Sequence, residues 1–148
     1  MIEIKGQCHC ENITYTFHWP GDERSIPVRA CSCSFCTMHG GVYTSHREGE
    51  LHAKIQDDRL LNRYRFGTST ADFYICARCG VVPFVVSEIN DHQYAVVNVN
   101  TFTNVDRAIF QKAVTDFDGE TTENRLERRE RTWIPSVAID RYAHSNKR

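Results

Sequence analysis

The sequence predicts a mainly β domain with little helix, and three observations lead there. Apolar residues recur at every second position through several short stretches. Turn-forming residues separate those stretches. Helical signal is weak, and no segment carries an apolar stripe wide enough to bury a helix firmly.

Taken in order, Ile13, Tyr15, Phe17 and Trp19 alternate with Thr14, Thr16 and His18, the period of a half-buried strand, and Pro20-Gly21-Asp22 ends it as a turn. Val42-Tyr43-Thr44-Ser45 reads as a strand leaving Gly40-Gly41. Residues 60–66 form the next, with Leu60, Asn62, Tyr64 and Phe66 on one side, and Gly67-Thr68-Ser69-Thr70 makes a hairpin loop into Phe73-Tyr74-Ile75-Cys76. Val81-Val82-Pro83-Phe84-Val85-Val86 reads as a further strand, its proline pointing to a sheet edge or a bulge. Residues 93–99 follow, with Tyr94, Val96 and Asn98 facing one way. Asn104 is a candidate cap for a short helix through Phe110. Residues 121–131 have a charged face and few apolar residues, and they read as a solvated surface segment rather than a basic binding site. No internal repeat, low-complexity tract or linker interrupts the chain. The expectation is one domain over residues 1–148, with those after about 116 as a C-terminal extension.

The composition excludes several classes. A chain of 148 residues can bury roughly two-thirds of its unfolded surface, so it needs no disulfides to replace a missing core. A formal net charge of −1 leaves no electrostatic footprint for nucleic acid or an anionic membrane. The longest apolar run is far too short to span a bilayer. The N-terminal Met1-Ile2-Glu3-Ile4-Lys5-Gly6 lacks a basic segment leading into an apolar one, so no signal peptide is expected and the location is expected to be cytoplasmic.

Seven cysteines in such a chain call for a reason. Disulfides are rare in a reducing compartment, and an odd number cannot pair completely. The cysteines also fall into three tight groups: Cys8 and Cys10, then Cys31, Cys33 and Cys36, then Cys76 and Cys79. That grouping points to metal ligation, and zinc binds deprotonated cysteine tetrahedrally. Cys76-Ala77-Arg78-Cys79-Gly80 can aim two sulfurs at one ion, with Gly80 permitting the tight turn. Cys8-His9-Cys10 can supply two more, which would make a closed four-thiolate site with the character of a structural staple. The middle group offers three sulfurs and leaves the fourth tetrahedral position for water or substrate, the mark of a catalytic zinc. Three thiolates give that zinc a formal charge of about −1, which suits capture of an incoming thiol better than polarising a carbonyl. Spacing alone does not fix this partition, and closure of the middle site by a histidine is the lesser alternative. His9 and His39 lie near the groups as ligands, hydrogen-bond donors or exposed residues, whereas His18, His52, His92 and His144 sit in no motif. Ser32 and Ser34 lie between ligands, placed to donate to thiolate sulfur.

Gly6-Gln7-Cys8-His9-Cys10 before an aromatic strand, then Cys31-Ser32-Cys33-Ser34-Phe35-Cys36, then Phe73-Tyr74-Ile75-Cys76-Ala77-Arg78-Cys79-Gly80 resembles the glutathione-dependent formaldehyde-activating enzyme family, to which centromere protein V also belongs. Leu61-Asn62-Arg63-Tyr64-Arg65-Phe66-Gly67 is similar to the family's style, and the likeness covers about the first two-thirds of the chain. It implies a β-tent fold with two zinc ions. Cys8, Cys10, Cys76 and Cys79 would hold the structural one, and Cys31, Cys33 and Cys36 the catalytic one. The implied activity is that of a carbon–sulfur lyase adding a thiol such as glutathione to formaldehyde or a related small aldehyde, as in S-hydroxymethylglutathione synthesis. Glu11-Asn12 departs from the glycine and small residue that members often have after the first pair. The rival expectation is a non-enzymatic zinc-stabilised β module that binds a protein partner. A zinc sensor or redox switch, a third reading, would need exchangeable metal.

Overall fold

Two β-sheets pack face to face, and alternation along their strands decides which side chains lie between them. The structure, a computed structural model, describes residues 1–117 and 119–143, so His144 lies outside the described residues. In chain order the elements are β1 (Ile2–Gln7), β2 (Ile13–Trp19), β3 (Ile26–Cys31), α1 (Ser34–His39), β4 (Val42–Thr44), β5 (Glu50–Ile55), β6 (Leu61–Tyr64), β7 (Asp72–Cys76), β8 (Phe84–Ile89), β9 (His92–Asn98), β10 (Phe110–Thr115), α2 (Thr122–Thr132) and β11 (Ser136–Arg141). Strands take 45% of the described residues and helical turns of all kinds 18%, so the fold is mainly β as the sequence predicts. One sheet has four strands in the order β1-β2-β5-β11, and the other has seven in the order β10-β3-β4-β9-β8-β7-β6. Neighbours are antiparallel except β11 beside β5 and β10 beside β3.

The alternating residues of β2 do what their period requires. Ile13, Tyr15 and Phe17 are buried and stand opposite Ile55, Ala53 and Leu51 of β5. Facing them across the core are Ile26, Val28, Phe84, Val86, Ala95 and Val97 of the seven-stranded sheet. Each such apolar side chain contributes about 1.5–3 kcal/mol relative to leaving it in water. Gly6 of β1 lies against the Tyr15 ring, where a Cβ would come within 2.2 Å of it, so a side chain there would displace the tyrosine.

The seven-stranded sheet is covered on both faces. Strand side chains alternate, so Phe84 and Val86 point into the main core. Val85 points the other way, into a second cluster with Cys36, Tyr43, Phe73, Val96 and Trp133. Burial on both faces explains why β8 reads as a continuous apolar run. Tyr94 packs against this second cluster with Val96, as their common spacing predicts. Backbone bonds Ala95 N to Ile134 O and Ile134 N to Ala95 O, 3.0 and 2.8 Å, pin the chain after α2 beside β9.

Several elements differ from expectation. The strand expected from Val81 begins at Phe84, because the preceding residues close the turn after Cys76: Cys76 N donates to Val81 O, 3.0 Å. Pro83 precedes β8, which lies inside the sheet between β9 and β7 rather than at an edge. Asn104 caps no helix. Its side chain accepts from Lys5 N and donates to Glu3 O, tying it to β1, while Asp106 caps a single 3-10 turn at Arg107–Ile109. The stretch expected as a solvated segment at 121–131 instead forms α2, capped by Thr121 and holding a buried arginine, Arg129, 7% exposed.

Candidate functional site

The first and last cysteine pairs meet where β1 and β7 end. Cys8 and Cys76 are fully buried, Cys10 and Cys79 partly so, and the four sulfurs lie within 4.8 Å of one another. Each pair sits in a tight loop closed by backbone bonds: Cys8 N to Ile13 O in one, Gly80 N to Cys76 O in the other. Gly80 adopts φ +79°, the left-handed turn read from its place after Cys79. In the first loop that conformation falls on Glu11, φ +67°, a strained position for a residue with a side chain. Asn12 steadies it, accepting from Asp57 N and donating to Asp57 O. Sulfurs about 2.3 Å from a tetrahedral ion stand about 3.8 Å apart. The Cys8–Cys10 and Cys10–Cys76 separations are 3.8 and 3.5 Å, so this donor set fits a metal of that kind.

The protonation pattern agrees with such a site. Burial pushes the Cys8 thiol up to about 12. Burial also raises Cys79, but N–H groups of Val81 and Cys10 and the sulfurs of Cys76 and Cys8 outweigh it and hold the thiol at about 6. Cys79 is thus the sulfur of this group that most readily gives up its proton to a cation.

Cys31, Cys33 and Cys36 form the second group, again within 4.8 Å of one another. Cys31 ends β3, Cys33 is the N-cap of α1, and Cys36 lies in that helix's first turn. Cys36 N donates to Cys33 Sγ, 3.4 Å, so the cap itself orients one sulfur. Ser32 and Ser34 are exposed, and this backbone N–H supplies a donor of the kind expected from their hydroxyls. The hydrogen bond with Cys36 holds the Cys31 thiol at about 5, against burial, with the charge of Arg128 helping. Cys36 is raised by the same bond and by burial. Among the described residues no histidine or carboxylate joins either group. His39 instead lies on the Phe35 ring, centroids 4.4 Å apart.

A cavity of about 670 Å³ opens beside this second group, and all three of its cysteines line it. Its apolar lining comes from the second cluster, with Phe73, Val85, Val96 and Trp133, and Phe66 at the loop after β6. Tyr43 also lines it, its hydroxyl accepting from Cys36 Sγ at 3.7 Å and raised in pKa by burial and by that sulfur, so it stays neutral. Four arginines complete the lining: Arg29 from β3 and Arg125, Arg128 and Arg129 from α2. The sequence reading named none of these five residues as part of a site. Tyr43 had no local signal, and the arginines carried only a charge run.

A sequence model of the glutathione-dependent formaldehyde-activating enzyme family matches residues 3–117. No curated protein matches the chain. Among solved structures, the crystal structure of a Rhodobacter sphaeroides protein is similar, with 25% sequence identity and a TM-score of 0.55, covering 75% of this chain and 99% of that one. The family match contains every one of the seven cysteines and ends before α2 and β11. No helix among the described residues is long and apolar enough to cross a membrane.

Proposed function

The chain belongs to the glutathione-dependent formaldehyde-activating enzyme family, and from that premise we propose that it is a zinc-dependent carbon–sulfur lyase-type enzyme joining a small thiol, such as glutathione, to formaldehyde or a related aldehyde. The observation that carries this reading is the three-cysteine group opening onto the cavity. In the proposal, Cys8, Cys10, Cys76 and Cys79 hold a structural zinc, while Cys31, Cys33 and Cys36 hold the second. A zinc with three thiolate ligands and one open position supplies affinity for a soft sulfur and lowers the pKa of a thiol placed there.

The chain's own residues do the rest. Phe73, Val85, Val96 and Trp133 give the reacting carbon an apolar wall beside the sulfurs. Tyr43 presents a neutral hydroxyl beside the sulfurs. Overall the thiol sulfur bonds to the carbonyl carbon, the C=O double bond becomes a C–O single bond, and the thiol proton ends on that oxygen. The reverse step returns it.

Exchange spectroscopy by NMR tests the proposal at equilibrium with formaldehyde and glutathione, then with other cellular thiols. The expected result is faster interconversion of free thiol and hemithioacetal, falling to the uncatalysed rate once a chelator has stripped the metal. No acceleration with any thiol by fully loaded protein would favour the non-enzymatic module. The metal content is separately testable. Protein purified without chelator under zinc-replete conditions should carry about two zinc ions per chain, one for each tetrahedral group. Elemental analysis giving one ion or none would overturn the two-site assignment.

A further inference from the structure

Positive charge is concentrated along one side of the cavity. Four guanidinium groups line it, and among the described residues the anionic groups beside them are the carboxylates of Asp116 and Glu120 and the lowered thiol of Cys31. Glu120 is taken by Arg128, which donates to both its oxygens at 3.0 and 3.1 Å while stacking on Phe117 at 3.6 Å. Arg125 Nε stands 3.7 Å from the same carboxylate, too long for a hydrogen bond. Arg29 donates to Ser45 Oγ, and Arg129 Nη1 to Thr70 and Ser87, all of them neutral groups.

The unpartnered polar atoms point the same way. Among the described residues, three buried side-chain nitrogen or oxygen atoms lack a hydrogen-bond partner: Thr115 Oγ1, Arg125 Nε and Arg129 Nε. All three belong to residues lining this cavity. Arg129 is 7% exposed and lies over the Trp133 ring at 4.9 Å, which fixes its plane. Burial, and then the charges of Arg128 and Arg125, pull its pKa down to about 10, so it remains charged near neutrality but unfavourably placed. Crowding buried cations is costly, and a ligand anion beside Arg125 and Arg129 relieves that cost.

We propose that Arg125 and Arg129, with Thr115, form a subsite for a carboxylate of the thiol substrate, so that α2 sets which thiol is accepted. The inference rests on the reading above, in which the thiol binds at Cys31, Cys33 and Cys36. Formaldehyde is far too small to need a cavity of about 670 Å³, a size typical of sites for much larger ligands. The volume and the charge therefore serve the thiol. A guanidinium fork matches a carboxylate in plane. Arg125 and Arg129 lie beyond the family match while Thr115 lies within it, so the charged part of this subsite belongs to the extension.

S-methylglutathione and its diethyl ester test the proposal on zinc-loaded protein, by calorimetric titration. Neither probe has a thiol proton to exchange with aldehyde, so binding is read without turnover. The acid is expected to bind at least about tenfold more tightly than the ester, and increasingly less so as salt rises. Arg125→Gln, with its melting temperature checked against wild type, should weaken the acid by about tenfold and leave the ester unchanged, with Arg125→Lys between. Equal binding of acid and ester, equal loss of both in Arg125→Gln, or no binding of either would overturn the subsite. The same holds if a thioether carrying phosphate binds where S-methylglutathione does not. Acid-selective binding without any exchange activity would sink the proposed enzyme and leave the subsite standing. Exchange activity without acid selectivity would do the opposite.

Discussion

Cys79→Ser is expected to leave the protein unfolded or insoluble. Its sulfur belongs to a group drawn from two loops, one after β1 in the four-stranded sheet and one after β7 in the seven-stranded sheet. A metal held there would tie the two sheets together at one point. Structural zinc contributes on the order of 10 kcal/mol or more to folding, and a domain's whole net stability is only about 5–15 kcal/mol. Losing one ligand therefore removes an amount comparable to the total. Without the ion, Cys8 and Cys76 would remain as fully buried thiols crowded against their neighbours. Far-UV circular dichroism and a thermal melt check this, alongside zinc content. A cooperative melt within a few degrees of wild type would show that the group is not a staple.

Cys33→Ser is expected to do the reverse, keeping the fold and abolishing the chemistry. Cys33 is the N-cap of a six-residue helix and accepts from Cys36 N. Serine is among the best residues for that role, so the helix start should survive the exchange. The second group lies at the end of β3 and in α1, on the outer face of the seven-stranded sheet, and does not bridge the sheets. A hydroxyl replaces sulfur poorly as a zinc ligand, so the variant should lose about one zinc per chain. Thiol–formaldehyde exchange should fall to the uncatalysed rate while the melting temperature stays near wild type. Acceleration that survives would remove the reaction from this site. If Cys33→Ser unfolds as Cys79→Ser does, the division into a structural and an open group is wrong.

The parts of the fold that were legible are those with local period. β2, β6, β7 and β9 carry alternation or turn signals inside their own few residues, and each was read within a residue or two. β1 and β5 carry the same kind of signal, in Ile2 and Ile4 and in Leu51, Ala53 and Ile55, but went unread. β3 was obscured by Pro27. β10 and β11 close the two sheets at their edges, beside strands more than eighty residues earlier, and such edge pairing leaves little apolar pattern. The site followed the same rule. The three cysteine groups are visible because each spans only a few residues, where spacing and geometry are nearly the same thing.

What the sequence by itself determined is the donor chemistry, the mainly β character and the family, since all three are written in residues close together along the chain. Tertiary structure decided the rest. It brought Cys10 within 3.5 Å of Cys76, 66 residues away, and so settled which groups share a site. It turned alternate residues of β8 onto opposite faces, and so created the second apolar cluster beside Cys36. It folded the arginines of α2 over that face, so that a run of charge indistinguishable in sequence from a solvated helix became the lining of a cavity. The physical reason is that burial is not a property of a residue. The cost and the use of a charge such as Arg129 depend on what the rest of the chain places around it.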